Sequence, residues 1–262
     1  MNSIKSILIA STLLPAALPA NAGTTIPELT STQPVATTGT GWHVRTALYG
    51  WATALDGDVT LYGNNVPMDL GFDDIFDKID FAFMGVVEVG RGKWSVLTDL
   101  FYADLSVDNT KGNLEFDVEL KQFIGNFIVA YNVVDEPCRR FDVFGGARVN
   151  SMETDINITR TGLVRATTFN GSASETWVDP IIGVRYQQGL SDRFFFRAVG
   201  DIGGFGVSSD LTWQALAGLG YHINEDASVV LGYRGIGTDY EDGNFGYDVI
   251  SHGVLLGLEY SF

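Results

Sequence analysis

The residues best suited to chemistry are few and widely spaced. There are three histidines, His43, His222 and His252, and none belongs to an Asp-x-His pair. His252 follows Ser251, but consecutive side chains of a β-strand point to opposite faces, so these two do not form a nucleophile and its base. The spacing therefore predicts no catalytic residues and a protein that is not an enzyme.

Acidic residues are concentrated in two segments that we predict to be loops. The first, residues 56–79, contains six aspartates and a single lysine, and the second is Asp239-Tyr240-Glu241-Asp242-Gly243-Asn244. Oxygen ligands suit Ca²⁺ or Mg²⁺, but neither spacing is that of an EF-hand. We therefore expect solvated acidic loops, with no dedicated metal site and no cofactor.

The composition excludes several classes of protein. The 262 residues carry 16 basic and 32 acidic side chains, a net charge of −16, which argues against a nucleic-acid-binding protein because such proteins need a basic surface. With 45% hydrophobic and 12% aromatic residues, the chain can bury enough apolar surface to fold. The single cysteine, Cys138, rules out an intramolecular disulfide framework.

The N-terminus has the pattern of a secretory signal peptide. Lys5 precedes an apolar stretch from Ile7 to Leu14, and Ala20-Asn21-Ala22 is a small-residue cleavage site. We therefore predict a signal peptide at residues 1–22. Residues 23–41 are rich in Thr, Ser, Pro and Gly, which predicts a flexible periplasmic segment.

Hydrophobicity in the remaining chain alternates with a period of two. Apolar residues at the even positions 254–262 alternate with small or polar ones, and no later apolar run is long enough for a membrane helix. Short connections alternate with longer ones, as in outer-membrane barrels, so we predict a closed antiparallel transmembrane β-barrel over residues 42–262 in a Gram-negative outer membrane. We expect about ten strands, with eight as the alternative. The predicted strands lie near 42–55, 80–90, 94–107, 114–133, 141–156, 174–189, 193–206, 211–222, 228–237 and 247–262.

The two faces of these strands differ in character. One face is aliphatic, with aromatic residues near the strand ends, as expected for contact with lipid. The other face carries nearly balanced charge, which hydrocarbon would not tolerate but which can pair inside a narrow lumen. The residues predicted to form this lumen network are Arg45, Glu88, Asp99, Asp142, Arg148, Asp179, Arg185, Arg197, Asp201, Arg234 and Glu259.

Three local features of the sequence are a possible β-bulge, a short predicted helix and a pair of arginines in a turn. Leu120 and Phe123 share a face only if a β-bulge near Lys121-Gln122 inserts an extra residue, which is the interpretation we favour. Alternatively, residues 114–120 extend the strand above the membrane, where either facing is allowed. The spacing of Phe72, Ile75, Phe76 and Ile79 predicts a short amphipathic helix, over the barrel mouth or at the lipid boundary. Arg139 and Arg140, beside Cys138 in a periplasmic turn, are expected to meet lipid headgroups.

Short motifs recur along the predicted strands. They are Asp80-Phe81-Ala82-Phe83-Met84-Gly85, Trp177-Val178-Asp179-Pro180, Gly183-Val184-Arg185-Tyr186, Asp201-Ile202-Gly203-Gly204-Phe205-Gly206, Trp213-Gln214-Ala215, Gly232-Tyr233-Arg234 and Tyr260-Ser261-Phe262. With them the chain resembles, over roughly residues 42–262, a group of small proteobacterial outer-membrane β-barrel proteins of uncharacterised function. The ending from Tyr260 to Phe262 resembles the signal that barrel assembly machinery reads. The resemblance implies a fold and a location but no activity.

Three classes of function remain open. The leading hypothesis is a non-enzymatic barrel with an envelope-structural or surface-interaction role, because about ten strands leave a lumen that side chains can fill. The alternatives are a narrow pore or lateral route for small solutes, and an outer-rim hydrolase. The expected partners are outer-membrane lipid and lipopolysaccharide, with weak cation bridging to its phosphates, and the assembly machinery; we expect a monomer that binds no nucleic acid.

Overall fold

A computed structural model describes residues 41–61, 63–111, 114–161 and 166–262. The predicted signal peptide, and all of the predicted periplasmic segment except Gly41, lie outside these residues. Within them, no helix has the length and apolar character needed to cross a membrane.

The described chain forms an antiparallel β-barrel. From β3 onward each strand pairs with the next, β3 pairs with β1, and the last strand, β11, returns to pair with β1 from Arg45↔Ser261 to Thr60↔Gly246. The elements are β1 Trp42–Leu61, β2 Asn64–Leu70, α1 Phe72–Phe76, β3 Ile79–Arg91, β4 Trp94–Lys111, β5 Leu114–Glu136, β6 Arg139–Thr161, β7 Ala166–Gly189, β8 Phe194–Gly204, β9 Leu211–His222, β10 Ala227–Asp242 and β11 Phe245–Ser261. Because β2 pairs only with Leu55–Leu61 of β1, above the part of β1 that pairs with β3, the closed wall has ten strands, as the sequence predicts.

Both ends of the barrel chain lie at one end of the wall, which we call the terminal end. The first strand, β1, begins there at Trp42, and the backbone N–H of Phe262 donates to the carbonyl of Val44 at 2.8 Å. The connections at this end are short turns. At the opposite end, which we call the far end, β4–β7 continue as long paired strands, so most of the loop expected at 157–173 is β-structure. Much of the loop expected at 56–79 is likewise the β1–β2 hairpin.

The outward face of the wall carries a continuous apolar belt. Its exposed side chains include Leu48, Phe83, Val96, Phe127, Val143, Val178, Ile182, Leu219, Leu231 and Leu256. A water-soluble protein rarely exposes a contiguous apolar surface of this extent, whereas lipid acyl chains match it. The outward side chains become polar beyond the belt at the far end, for example at Asp56, Asp58 and Asp248.

The expected β-bulge near Lys121-Gln122 is wrong. Pairing of β4 with β5 runs without interruption from Tyr102↔Phe123 to Leu105↔Leu120, and β5–β6 pairing is also regular there. Leu120 therefore faces the lumen side, where it packs against buried residues, and residues 114–120 extend the strand beyond the belt. The sequence pattern changes phase because the lumen-facing side chains change from polar in the belt to apolar above it.

The predicted amphipathic helix is present in part as α1, which ends at Phe76, whereas Ile79 begins β3. Its side chain Ile75 packs against the buried cluster at the far end of the lumen, while Phe72 and Phe76 remain exposed with ring centroids 5.2 Å apart. The helix begins with a backbone N–H of Gly71 donating to the Asp74 carboxylate at 3.1 Å. One face of α1 thus covers the barrel mouth, and the other face points away from it.

Candidate functional site: the charged lumen

A first layer of ion pairs crosses the lumen toward the terminal end. Arg185 donates from both terminal nitrogens to Glu88, at 2.9 and 2.7 Å, and from Nε to Asp142 at 2.8 Å. Arg45 donates to the same Glu88 at 2.7 Å and to Glu259 at 2.9 Å. Arg45 pairs along the wall with Glu88 and Glu259 on its two neighbouring strands. Arg185 of β7 also pairs with its cross-strand neighbour Asp142, and it crosses the lumen to reach Glu88 of β3.

Further side chains extend this layer. Arg197 pairs with Glu259 through both carboxylate oxygens, and Arg140 donates to Asp142 at 3.0 Å. Asn132 donates to Asp142 at 2.7 Å. The carboxylates Glu88 and Asp142 are 3% and 0% exposed, so their charges are withdrawn from water and satisfied by arginine.

A second layer lies nearer the far end. Arg148, 0% exposed, donates to both oxygens of Asp201 at 2.8 and 3.1 Å, to Asn126 at 2.8 Å and to Thr212 at 2.9 Å. Asn126 in turn donates to Asp99 at 3.2 Å. The amide of Asn126 therefore joins this ion pair to its neighbour.

The neighbouring pair is Asp99 with Arg234. Arg234 donates to Asp99 at 2.7 Å, to Gln214 at 2.6 Å and to the hydroxyl of Tyr49 at 2.8 Å, and Tyr49 donates to Asp99 at 2.7 Å. The guanidinium also lies 5.2 Å from the centroid of the Trp51 ring, a cation–π geometry. All three guanidinium nitrogens of Arg234 thus donate to lumen side chains.

Asp179 has a different partner from the other predicted network residues. Its carboxylate is 0% exposed and accepts the backbone N–H and the hydroxyl of Ser209, at 2.8 and 2.7 Å. Ser209 lies in the turn between β8 and β9. Asp179 therefore holds a turn rather than bridging to an arginine.

An apolar zone separates the two ionic layers. Ile128, Phe144, Val199 and Leu97 pack in it, beside a cavity of about 130 Å³ that is also lined by residues of both layers. A second cavity, of about 280 Å³, lies at the terminal-end mouth below the first layer and is lined in part by His222, Phe262 and Arg140. The lumen is thus filled in alternating charged and apolar layers.

Aromatic side chains fill the lumen at the far end. Trp177 of β7 stacks on Tyr240 of β10 with ring centroids 4.3 Å apart and planes 4° apart, and both rings are buried. Strands β8 and β9, which lie between β7 and β10, end at Gly204 and begin at Leu211, short of this level. The stacked rings thus connect the longer strands β7 and β10 above the shorter β8–β9 hairpin.

The sequence located these residues by strand parity but missed several of their partners. Tyr49, Asn132 and Thr212 carry no charge and so gave no signal, although each lies on a lumen-facing strand position. Ser209 lies in a turn, where strand alternation makes no prediction. Arg140 was expected at lipid headgroups and is instead bonded to Asp142 inside the barrel. The strand was expected to begin at residue 141, but β6 begins at Arg139, so Arg140 lies two residues before Asp142 on the same face. Arg139 remains exposed and pairs with Glu136 at 2.8 Å.

The histidines are not arranged as a catalytic centre with Ser251. Ser251 is buried, whereas His252 lies on the outer wall, where it bonds to Asp56 and Tyr233, both at 2.5 Å. His222 bonds to Ser228 at 2.8 Å. Among the residues that the structure describes, no group of three or more His, Cys, Asp or Glu is placed to hold a metal ion.

The last residues lie on the terminal-end rim. Tyr260 is outward-facing, and the ring of Phe262, 75% exposed, contacts the Tyr260 ring with centroids 4.7 Å apart. At the other end, beyond the apolar belt, Asp239 pairs across the sheet with Asp248. Partial burial, and then repulsion from Asp248, raise the pKa of Asp239 above its usual value.

Comparison with known proteins identifies the fold and no more. No family model and no curated protein matches the sequence. The outer-membrane protease OmpT of Escherichia coli is similar in structure, with a TM-score of 0.52 and 10% identity over 85% of this chain and 97% of that one.

Two other solved structures show weaker similarity. The translocator domain of the autotransporter NalP of Neisseria meningitidis has a TM-score of 0.42 and 14% identity, covering 86% of this chain and 89% of that domain. The attachment invasion locus protein Ail of Yersinia pestis has a TM-score of 0.33 and 11% identity, covering 86% of this chain and 100% of that one. The wall, its apolar belt and the likeness to OmpT agree: the chain has the closed ten-stranded barrel fold of Gram-negative outer-membrane proteins.

Proposed function

We propose that the protein is a non-conducting, non-enzymatic outer-membrane barrel with a structural or surface-interaction role in the envelope. It would belong with the small proteobacterial barrels that its sequence resembles. The observation that carries the proposal is the pair of ionic layers across the lumen. An open pore needs a continuous aqueous path, and both layers place arginine side chains across that path.

The energetics of the layers support a permanent plug. Moving Arg148 or Arg185 aside would leave buried carboxylates without a partner, which costs several kcal/mol for each broken pair. A single side chain, Arg185, forms ion pairs with both Glu88 and Asp142. Thermal motion rarely supplies several such costs together, so we expect the lumen to stay closed.

The proposal also assigns an orientation and partners. The terminal end faces the periplasm, and the tall strands β4–β7 and α1 face the cell exterior. The acidic far-end surface then meets the phosphate layer of lipopolysaccharide, with divalent cations as weak bridges. We further propose that the barrel is monomeric and that assembly machinery reads the ending Tyr260-Ser261-Phe262.

Single-channel recording in planar bilayers tests the plug. The wild-type protein is expected to show no conductance steps. The double variant Arg185→Ser/Arg234→Ser, which removes one arginine from each layer, is expected to show steps that favour cations, because Glu88, Asp142 and Asp99 remain in the opened path. Heat-modifiable gel mobility confirms that each sample is folded. Steady conductance of the wild-type protein would refute the proposal.

The cavity of about 130 Å³ between the layers favours a second candidate, a narrow route for small apolar solutes. Such a solute could occupy the apolar zone without ionic conductance. The test is uptake of a small apolar solute into vesicles containing the wild-type protein or the variant Phe144→Trp, which would fill the zone. Equal uptake by both samples and by protein-free vesicles would exclude this route.

A further inference from the structure

The turn between β8 and β9, residues 205–210, is the lowest connection at the far end. Pairing of β7 with β8 ends at Ile181↔Gly203, whereas pairing of β7 with β6 continues to Ala166. The hydroxyl of Ser208 donates to the carbonyl of Val178 at 2.8 Å. Val178 is 46% exposed and is the last apolar residue of the outward belt on β7, since the next outward positions are Thr176 and Ser174. The turn therefore lies level with the edge of the belt.

The turn is held rigidly at this level. Besides the bond to Val178, Ser209 donates twice to the fully buried Asp179, and the backbone N–H of Asp210 donates to the carbonyl of Asp239 at 2.9 Å. These bonds tie the turn to β7 on one side and β10 on the other. A loop held by these four hydrogen bonds, two of them buried, does not rise freely into water.

The turn exposes apolar side chains in an unusual backbone conformation. Phe205 has φ 53°, in the left-handed region that glycine adopts without cost, and lies between Gly204 and Gly206, which also have positive φ. Phe205 is 55% exposed and Val207 is 69% exposed. In water this arrangement would combine backbone strain with two exposed apolar side chains.

The exposed pair continues the lipid-facing surface. Ile202 at the end of β8 and Leu211 at the start of β9 are 47% and 42% exposed and flank the turn. Together with Val178 they place Phe205 and Val207 at the margin of one apolar surface. The β10–β11 hairpin is different, because the end of β10, Glu241-Asp242, and the turn Gly243-Asn244 are acidic and polar.

We propose that turn 205–210 is not a surface loop but a membrane anchor, with Phe205 and Val207 inserted among the acyl chains of the outer leaflet. The proposal rests on the proposed outer-membrane orientation. The barrel wall then has a low side at β8–β9, submerged at the lipid boundary, and a tall side at β4–β7. By analogy with other interfacial anchors, the inserted side chains lie about 5–10 Å into the boundary between headgroups and acyl chains.

The test uses single cysteines in a Cys138→Ser background. A nitroxide is attached at Val207→Cys, at Phe205→Cys as a second site in the turn, and at Asn244→Cys as the control in the polar turn. Collision rates with oxygen and with a water-soluble nickel complex are measured in lipid bilayers. We expect labels in turn 205–210 to favour oxygen, at a depth of about 5–10 Å, and the label at residue 244 to favour nickel.

Two outcomes would overturn the proposal. Nickel access at residue 207 equal to that at residue 244 would place the turn in water. Low collision rates with both reagents at residue 207 would mean that protein covers the turn. A membrane-impermeant maleimide on intact cells tests the orientation separately: we expect labelling at residue 244 and not at 207. Absence of labelling at 244, with unchanged collision data, would refute the orientation but not the lipid contact.

Discussion

Arg148 provides the sharpest test of the energetics of the lumen. Its side chain is fully buried and bonds to Asp201, Asn126 and Thr212. In Arg148→Met the apolar stem is largely kept, but the buried Asp201 carboxylate loses its cation. Breaking a buried pair in this way costs about 3–5 kcal/mol. We therefore expect the free energy of unfolding to fall by about that amount.

The assay is equilibrium unfolding by urea in detergent micelles or vesicles, followed by tryptophan fluorescence. The matched control is Arg139→Met, which breaks an ion pair with Glu136 whose side chains are 49% and 55% exposed. An exposed pair of this kind contributes at most about 1 kcal/mol, because water and salt screen it. Because both variants lose one positive charge, the difference between their free energies of unfolding measures the effect of burial.

A double variant separates the lost attraction from the stranded charge. Arg148→Met/Asp201→Leu removes both members of the pair, and apolar replacement of a buried pair is often neutral or stabilising. We therefore expect it to recover most of the stability lost in Arg148→Met. The reasoning is refuted if Arg148→Met costs no more than Arg139→Met, or if the double variant is less stable than the single one.

Three further predictions concern the pairing of β11 with β1, the C-terminus and the far end. Gly253→Ala would place a Cβ 1.7 Å from a main-chain oxygen of β1, so we expect it to cost about 1–3 kcal/mol in urea unfolding, whereas Gly50→Ala, with open space around its Cβ, should cost less. Deleting Phe262 should reduce outer-membrane levels far more than it weakens the purified barrel, because the ring is 75% exposed; equal losses in cells and in detergent would contradict this. The raised pKa of Asp239 means that the folded state binds its proton more tightly than the unfolded state, so this group destabilises the fold as pH rises through its pKa. Asp239→Asn should therefore flatten the loss of stability between acidic and neutral pH, and a slope unchanged from wild type would refute this.

The alternation of side chains along each strand was enough to place most residues of the charged lumen. A strand turns its side chains alternately to two faces, so Arg45, Glu88 and Arg185 were placed in the lumen without knowledge of their partners. Arg140 was misplaced because the strand was expected to begin at residue 141, whereas β6 begins at Arg139 and Arg140 has the same facing as Asp142. Leu120 was ambiguous for a different reason, since the face toward the lumen is polar in the belt and apolar above it.

The sequence by itself determined the antiparallel barrel of about ten strands, its lipid-facing surface and most of the charges inside it, because each follows from local alternation and turn spacing. Only the tertiary structure decided which charges pair. Arg148 lies across from Asp179 in the strand register but bonds to Asp201, while Asp179 holds Ser209. Such choices depend on side-chain reach across a closed lumen and on the relative heights of distant strands. The distances between side chains on opposite strands are set only once β11 has paired with β1, so no local pattern in the sequence records them.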